Sequence, residues 1–548
     1  MLLPIVLALA FYQQAAPKPE VLFWPHGVSP LGAEHKDVFD NHLLEVSHRD
    51  KSGNVEVHLT KTDVMVIQSG TATLVYGGEG VGMHPTAPNE LQGTSIKGGQ
   101  QRRVEPGDVI HIPTAVPHQF LLAPGETITY LVVKVVDPPP PTAKNLEPLR
   151  EKSTASLHID NLLPPLLKST LISVNINQSI HIEHVTYATQ DGQRIPAIVY
   201  APNHPTGKVP GLVVVNGHGG DKSSWYAVYT GLLYATAGAV VITYDPIGEF
   251  ERSTTRGSEV GEHDKPQPGL KDPARVGGLM LEDVFQSLRY AASRPDVDPT
   301  RIALLGYSMG SFHALLASAL AGPDVPKIRA LVLSGGGNLD GPNEYWDNPG
   351  KPNCQSGPYK ALNFLGDRAA VLWALRAQSG PSLVLNGTED GLITKFNEQE
   401  PFFNTLRDRI AAVTGSRTNL PETVWYPGVG HRASFMTREA ALWLHHQLQF
   451  PNWSDAQIAA FPTIRAADWV AKTHVRISKG YDAEQKEGGT LALDLNLPSL
   501  TREQLTAVPV DLWQKDPSPY TLQGWLPHAI AAEAAESTAA PSVQSTHP

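Results

Sequence analysis

A serine bracketed by glycines, in the run Gly306-Tyr307-Ser308-Met309-Gly310, sits between an apolar stretch, Ile302–Gly306, and a stretch of helical period, Met309–Ala321. Strand, sharp turn and helix form the context in which G-x-S-x-G presents a serine hydroxyl at the top of a sheet. A hydroxyl is a weak nucleophile at neutral pH, so it needs a neighbouring base that a third group holds in place. Later loops supply both. Asp390 follows the apolar run SLVLNG within TEDGLIT, with Glu389 beside it as the alternative acid, and His431 follows VWYPGVG. The order serine, acid, histidine, with gaps long enough for intervening βα units, matches this arrangement. In the expected chemistry His431 takes the Ser308 proton and returns it to a leaving group, while Asp390 fixes the imidazole tautomer and stabilises its cation.

Negative charge that develops on a carbonyl oxygen needs preorganised donors. The run GLVVVN leads into GHGGDK, and the backbone N–H groups of Gly219 and Gly220, with that of Met309 at the following helix start, are the expected oxyanion donors. His218 either packs in that loop or touches substrate. The next apolar run ends in YDPIGEFERS, which puts Asp245, Glu251 and Arg252 on a loop at the carboxyl ends of the strands, beside the site. A structural ion pair is the competing reading of Glu251 and Arg252. The single cysteine, Cys354, rules out an intramolecular disulfide and every multi-cysteine zinc pattern. Its flanks, KPNCQSG, lack a strand-turn-helix context, so it reads as a passive loop thiol.

The elements that must position these residues follow from periodicity. Apolar runs at Gly211–Asn216, Ala239–Tyr244, Ile302–Gly306, Ala330–Ser334 and Ser382–Asn386 alternate with helical stretches such as Gly278–Ser293, the pattern of βαβ units around a mostly parallel, doubly wound sheet with helices on both faces. Ahead of them, HIEHVTYATQDGQRIPAIVYAP reads as a hairpin turning at Asp191-Gly192. Four consecutive prolines in DPPPPTAK, Asp137 to Lys144, mark an extended spacer. Upstream of it VEVHLTK, DVMVIQSG, TATLVYGG, DVIHIP, HQFLLA and TITYLVVKV alternate apolar and polar residues between Gly, Pro and Asn, an all-β pattern. At 548 residues the chain exceeds one hydrophobic core. The expected division is a signal peptide over 1–16, a β-barrel over 17–137, a linker and lead-in over 138–170, a catalytic α/β domain over 171–450 and an extension over 451–548, with an Ala/Ser/Pro-rich, disordered tail after Ala531.

Composition narrows the partners. A net charge of -11 without a long Lys/Arg run argues against nucleic acid. The apolar run Leu2–Tyr12 before Ala15 and Ala16 resembles a secretory leader, and later apolar runs end too soon to span a bilayer, so a secreted or periplasmic protein with no membrane span is expected.

GHGG, DPIGEFERS, VDPTRIALLGYSMG, GTEDGL and GVGH together resemble the α/β-hydrolase superfamily, in its dienelactone-hydrolase and acetyl-xylan-esterase-like branch, over roughly residues 180–450. The resemblance implies ester hydrolysis through an acyl-serine, on acetylated carbohydrate or other small esters, with no cofactor. One departure stands after GYSMG: Ser311 occupies a position where many relatives carry a second glycine. EVHLTKTDVMVIQSG and EPGDVIHIPTAVPHQF resemble the two cupin motifs. That resemblance implies a divalent transition metal held by His58, Asp63 and His118, with Glu56 where a first histidine is usual, and His111 facing the other side of its strand; a barrel that has lost its metal is the alternative. Two further readings compete: a serine peptidase of the prolyl-oligopeptidase type, for which the N-terminal segment is too short to form a propeller, and a metal- or sugar-binding cupin protein with an inert hydrolase domain. An active cupin enzyme, for instance a dioxygenase, is a fourth.

Overall fold

The computed structural model describes residues 23–29, 31–39, 42–87, 90–136, 142–160, 163–339, 353–391, 399–474 and 491–539. The expected leader and residues 137–141 of the proline spacer lie outside them. The chain divides into two compact units, Met1–Pro140 and Pro141–Pro548.

The N-terminal unit is all β, as its alternation predicts. One sheet orders its strands His35–Val38, His42–Arg49, Ile128–Val136, Lys61–Gly70 and Val109–Ile112; the other orders Gln100–Val104, Ala72–Tyr76, His118–Leu121, Val55–His58, Glu90–Gly93 and His84–Ala87. Inward residues of both sheets, among them Met65, Ile67, Leu74, Phe120, Tyr130 and Val132, share one buried cluster. The cupin-like reading fits this pair of sheets, and His111 is exposed, on the outer side of its strand.

The second unit is built on a nine-stranded sheet. Its strands are β1 (Ser169–Asn175), β2 (Ile180–Ala188), β3 (Arg194–Pro202), β4 (Val209–Val215), β5 (Val240–Tyr244), β6 (Val297–Tyr307), β7 (Ile328–Ser334), β8 (Ser382–Gly387) and β9 (Glu422–Tyr426), in the spatial order β1-β2-β3-β5-β4-β6-β7-β8-β9. β1 to β3 pair antiparallel, β3 joins β5 antiparallel, and β4 to β9 run parallel. The β2–β3 connection turns at Asp191-Gly192, both with positive φ of 54° and 75°. Apolar residues fill both faces: Val213, Val215 and Leu304 enter one core cluster, while Leu212, Val214 and Leu305 enter the other. A strand buried on two sides reads as a continuous Val/Leu/Ile run for this reason.

Helices α1 (Trp225–Thr236), α2 (Ala274–Ala292), α3 (Met309–Leu320) and α5 (Arg438–Leu448) cover the sheet, and α4 (Asn353–Ala361) packs against α2. α2 and α3 feed the first cluster, α1 and α5 the second. Residues beyond 451 are part of the same unit. Trp469, Leu493 and Leu505 join the second cluster, the Tyr229 hydroxyl donates to the Leu493 carbonyl at 2.7 Å, and the Trp525 indole donates to Gln190 at 3.0 Å. A helix spans Leu522–Ala539, so the stretch read by composition as a disordered tail from Ala531 is helical as far as Ala539, where Ala-rich sequence favours that state. No helix among the described residues is long and apolar enough to cross a membrane.

Candidate active site

β6 delivers Ser308 to a turn of unusual backbone geometry. Ser308 has φ 53° and ψ -117°, and α3 begins at the next residue. A non-glycine residue held at positive φ stores strain that the surroundings must overcome. Here they do so by close approach. A Cβ on Gly310 would lie 2.2 Å from the Val215 carbonyl oxygen, and one on Gly306 would lie 2.3 Å from the Gly310 carbonyl oxygen, so only glycine lets the elbow press against the end of β4. Ser311 occupies the departure from the usual pattern without loosening the turn, because it packs against Gly336, where an added Cβ would sit 1.9 Å from its Oγ.

Three side chains from three loops converge at this elbow. The Ser308 hydroxyl lies 2.8 Å from His431 Nε2, and His431 Nδ1 lies 2.8 Å from Asp390 Oδ2. Asp390 is fully buried, whereas Glu389 is exposed, which removes the alternative acid. The His431 loop is clamped from both sides: Tyr307 Oη donates to the His431 carbonyl at 3.1 Å, and Ser334 Oγ donates to the Arg432 carbonyl at 2.9 Å. Gly335, at φ 58°, makes room for the ring, since a Cβ there would meet His431 Cε1 at 2.8 Å. Such a chain can pass a proton from a hydroxyl to an imidazole whose cation a buried carboxylate stabilises.

The predicted oxyanion donors divide. The Gly220 N–H donates to the Gly217 carbonyl at 3.0 Å, so that donor is spent in its own turn and is not offered to a ligand. Gly219, at φ 67°, follows the loop segment that abuts Ser308: a Cβ on Gly217 would lie 3.1 Å from the Ser308 Cβ. Met309 opens α3, where backbone N–H groups have no partner within the helix.

Of the four residues expected on a substrate loop, three lie in the interior. Asp245, Glu251 and Arg252 are all fully buried. Lys222, also fully buried, contacts Asp245 and reaches Glu251 at 2.6 Å; Arg252 pairs with Asp283. Burial pushes the Asp245 carboxyl up while the Lys222 ammonium opposes it. Glu251 also takes Arg256 at 2.8 Å and accepts the Ala507 and Val508 N–H groups at 2.8 and 2.9 Å, which pins the C-terminal segment to the sheet. The ion-pair reading is right in kind but wrong in partners, because the loop folds inward beneath the site.

His218 and Cys354 meet instead. His218 Nε2 lies 3.2 Å from Cys354 Sγ and 3.0 Å from Asp264 Oδ1, and the thiol is buried in the first turn of α4, 3.8 Å from Met309 Sδ. Cys354, read as a passive loop thiol, lies buried in a helix rather than in a loop. His263 and Asp264 carried no sequence signal: EHDK reads as solvated loop, yet His263 is fully buried and burial pushes its imidazole down to about 4.

In the barrel, Glu56, His58, Asp63 and His118 do come together. His58 Nε2 is 3.7 Å from Glu56 and 3.4 Å from Asp63 Oδ2, and His118 Nε2 is 3.5 Å from the same oxygen. Lys134 stands among them, its Nζ 2.7 Å from His58 Nε2 and 2.9 Å from Asp63 Oδ2. Burial alone would raise Asp63; hydrogen bonds from His118 and His58 and the Lys134 charge hold it far below the ordinary carboxylate range. An ammonium already occupies the position between imidazole and carboxylate that a divalent ion would need, so this donor set does not fit a metal as it stands.

The sequence profile of the acetyl xylan esterase (AXE1) family matches residues 166–332, which hold β1 to β6, Gly219 and Ser308 and stop short of Asp390 and His431. The curated thiohydrolase apmlB of Arthrinium phaeospermum is 29% identical over 150 residues, 27% of this chain, and the chain spans only 41% of that protein's length. Among solved structures, the methylesterase BT1017 is similar at 21% identity and a TM-score of 0.43, over 66% of this chain and 71% of that one. Acetyl xylan esterase 1 from Thermoanaerobacterium sp. JW/SL YS485 is 18% identical with a TM-score of 0.39, over 57% and 95% of the two chains. The glucuronoyl esterase from Solibacter usitatus is 15% identical with a TM-score of 0.42, over 58% and 95%.

Proposed function

We propose that this chain, whose second unit has an α/β-hydrolase fold similar in sequence to acetyl xylan esterases over residues 166–332, is a serine carboxylic-ester hydrolase acting on acetylated carbohydrate. The observation that carries this reading is the unbroken Ser308–His431–Asp390 chain, 2.8 Å at each link, at a strained elbow. Its convergence also speaks against an inert hydrolase domain.

In the proposed mechanism His431 Nε2 accepts the Ser308 proton as Oγ attacks the ester carbonyl. The resulting oxyanion is held by the Met309 and Gly219 N–H groups. As the intermediate collapses, the imidazolium returns the proton to the departing sugar hydroxyl and leaves an acetyl-serine. Water then attacks that ester with His431 again as base, releasing acetate and restoring the Ser308 hydroxyl. Asp390, buried behind the ring, keeps the Nδ1 proton in place throughout. No metal is needed in any step.

The test is turnover of an aryl acetate and of acetylated xylan by the full-length chain, with an acyl thioester alongside because one relative is named a thiohydrolase. Ser308→Ala is expected to abolish both the burst and the steady state, and an organophosphate should label Ser308. Wild-type turnover by Ser308→Ala, or labelling at another serine, would overturn the proposal; preference for the thioester would redirect the substrate class while keeping the triad.

A further inference from the structure

Beside the elbow, four donor atoms from separate loops face one another: His218 Nε2 from the β4–α1 loop, His263 Nε2 and Asp264 Oδ1 from the β5–α2 connection, and Cys354 Sγ from the first turn of α4. All lie within 4.8 Å of one another. The separations are 3.0 Å for His218–Asp264, 3.2 Å for His218–Cys354, 3.2 Å for His263–Asp264 and 3.5 Å for Cys354–Asp264. With metal–nitrogen and metal–oxygen bonds of about 2.0–2.2 Å and a metal–sulfur bond of about 2.3 Å, the edges of a tetrahedral site measure roughly 3.3–3.6 Å. Those four edges lie within a few tenths of an ångström of that shape.

A second observation points to a cation. The Nδ1–H of His263 donates to the Ile247 carbonyl at 2.5 Å, so in the neutral ring its Nε2 presents a lone pair. That nitrogen is buried and without a hydrogen-bond partner, and it faces the Asp264 carboxylate oxygen at 3.2 Å. Asp264 Oδ1 already accepts from His218 Nε2 and the Cys354 thiol, so the buried His263 lone pair is the one left facing it with no proton between them, at a cost that a cation would remove. The backbone carbonyl that fixes the His263 tautomer is also the kind of support that metal-bound imidazoles use.

We propose that His218, His263, Asp264 and Cys354 bind one divalent transition-metal ion of the zinc class. Imidazole, carboxylate and thiolate together suit zinc or cobalt and poorly suit magnesium or calcium. On binding, the Cys354 thiol gives its proton to solvent as the sulfur–metal bond forms, and no electron is transferred. Four protein ligands close the shell, so the ion fastens loops. It ties the residue before Gly219 to the 247–264 connection and to α4, whose Cys354 sulfur rests 3.8 Å from Met309 Sδ. The site therefore braces the backbone on either side of the proposed oxyanion hole, and its existence does not depend on the ester chemistry.

Cobalt(II) and zinc(II) titrations of the metal-stripped full-length chain test this. One equivalent of cobalt should bind with the visible bands of a tetrahedral ion and a thiolate-to-cobalt charge-transfer band. The barrel cluster contains no sulfur, so that band assigns the ion to Cys354. Cys354→Ser should lose the band, and His218→Ala, at a half-buried position, should weaken zinc by more than the roughly 10–100-fold that loss of a supporting hydrogen bond costs. Circular dichroism checks that each variant is folded, and either variant alone decides if the other is not. Absence of the charge-transfer band in the wild type, or wild-type zinc affinity in a folded variant, would overturn the proposal.

Discussion

The barrel and the α/β unit each bury a cluster of imidazoles and carboxylates, and they balance them by different means. In the barrel, Lys134 reaches in from the strand Ile128–Val136 and donates to both His58 and Asp63. In the α/β unit, the group at His218, His263, Asp264 and Cys354 holds no ammonium; each cluster has one buried imidazole nitrogen without a hydrogen-bond partner, His118 Nε2 in the barrel and His263 Nε2 here. The same residue types thus carry opposite implications. A cluster that holds its own ammonium is already neutralised, whereas one that has only a thiol and imidazoles to set against its carboxylate has room for a cation from outside. Lys222 between Asp245 and Glu251 belongs to the first kind, and its burial shows how far the chain goes to supply charge where the fold needs rigidity.

The sharpest separation of the two units is kinetic. Asp390→Asn should keep the fold and lower ester turnover about 10⁴-fold, because the imidazole loses the partner that fixes its tautomer. Lys134→Met, in the barrel, should leave the turnover of a small aryl acetate unchanged. A comparable loss from Lys134→Met would mean that the barrel takes part in the chemistry. Next in size is Glu251→Ala, which strips Lys222 and Arg256 of a buried partner and frees two backbone N–H groups; urea unfolding of the α/β unit should show a cost of about 3–5 kcal/mol.

Much of this contrast was beyond reach of the sequence. Ser308 and Asp390 were legible because each follows a continuous apolar run, and a strand buried on both faces announces where its loop begins; His431 follows the half-buried edge strand Glu422–Tyr426 and was legible from its order in the chain. Six of the barrel's strands were legible from alternation; His84–Ala87 and Gln100–Val104 were not named because exposed strands carry no apolar period, and His35–Val38, His42–Arg49 and Glu90–Gly93 were not named either. Asp245, Glu251 and Arg252 were misplaced for a related reason. A charged loop after a strand reads as solvated, and only the fold reveals that Lys222 and the N–H groups of Ala507 and Val508 draw it inward. Gly220 and Gly219 are identical in type, and the turn bond to Gly217 that distinguishes them is a matter of backbone geometry. Lys134 was invisible as a cluster member because it lies in a different strand from every cupin motif residue.

A smaller effect tests what the lysine does. Lys134→Ala should cost the barrel about 1–3 kcal/mol and open the space beside His58, Asp63 and His118, so zinc uptake by the full chain should rise by one equivalent. If uptake does not rise, the ammonium is not what occupies the metal position, and the barrel is closed to ions for another reason.

The smallest effect concerns a third way of balancing a buried carboxylate, with a proton. Glu282 is fully buried on α2; its Oε1 accepts the Asp160 N–H at 2.7 Å while its Oε2 has no partner, and burial pushes the carboxyl up to about 8. Between the ordinary carboxylate value and about 8 the folded protein therefore holds a proton that the unfolded chain has released, so this group's contribution to stability is fully present below that window and is lost as pH rises through it. Glu282→Gln mimics the protonated form without a titrating proton. Urea unfolding at pH 6, 7, 8 and 9 should find the variant gaining on the wild type as pH rises, by on the order of 1 kcal/mol per unit at most, with the gap levelling off above pH 8. Asp245 and other raised carboxyls tilt both proteins equally, so the difference between them reads Glu282 alone. A gap that does not grow with pH would mean that Glu282 is ionised in the fold and finds its positive partner there, as Asp63 does in the barrel.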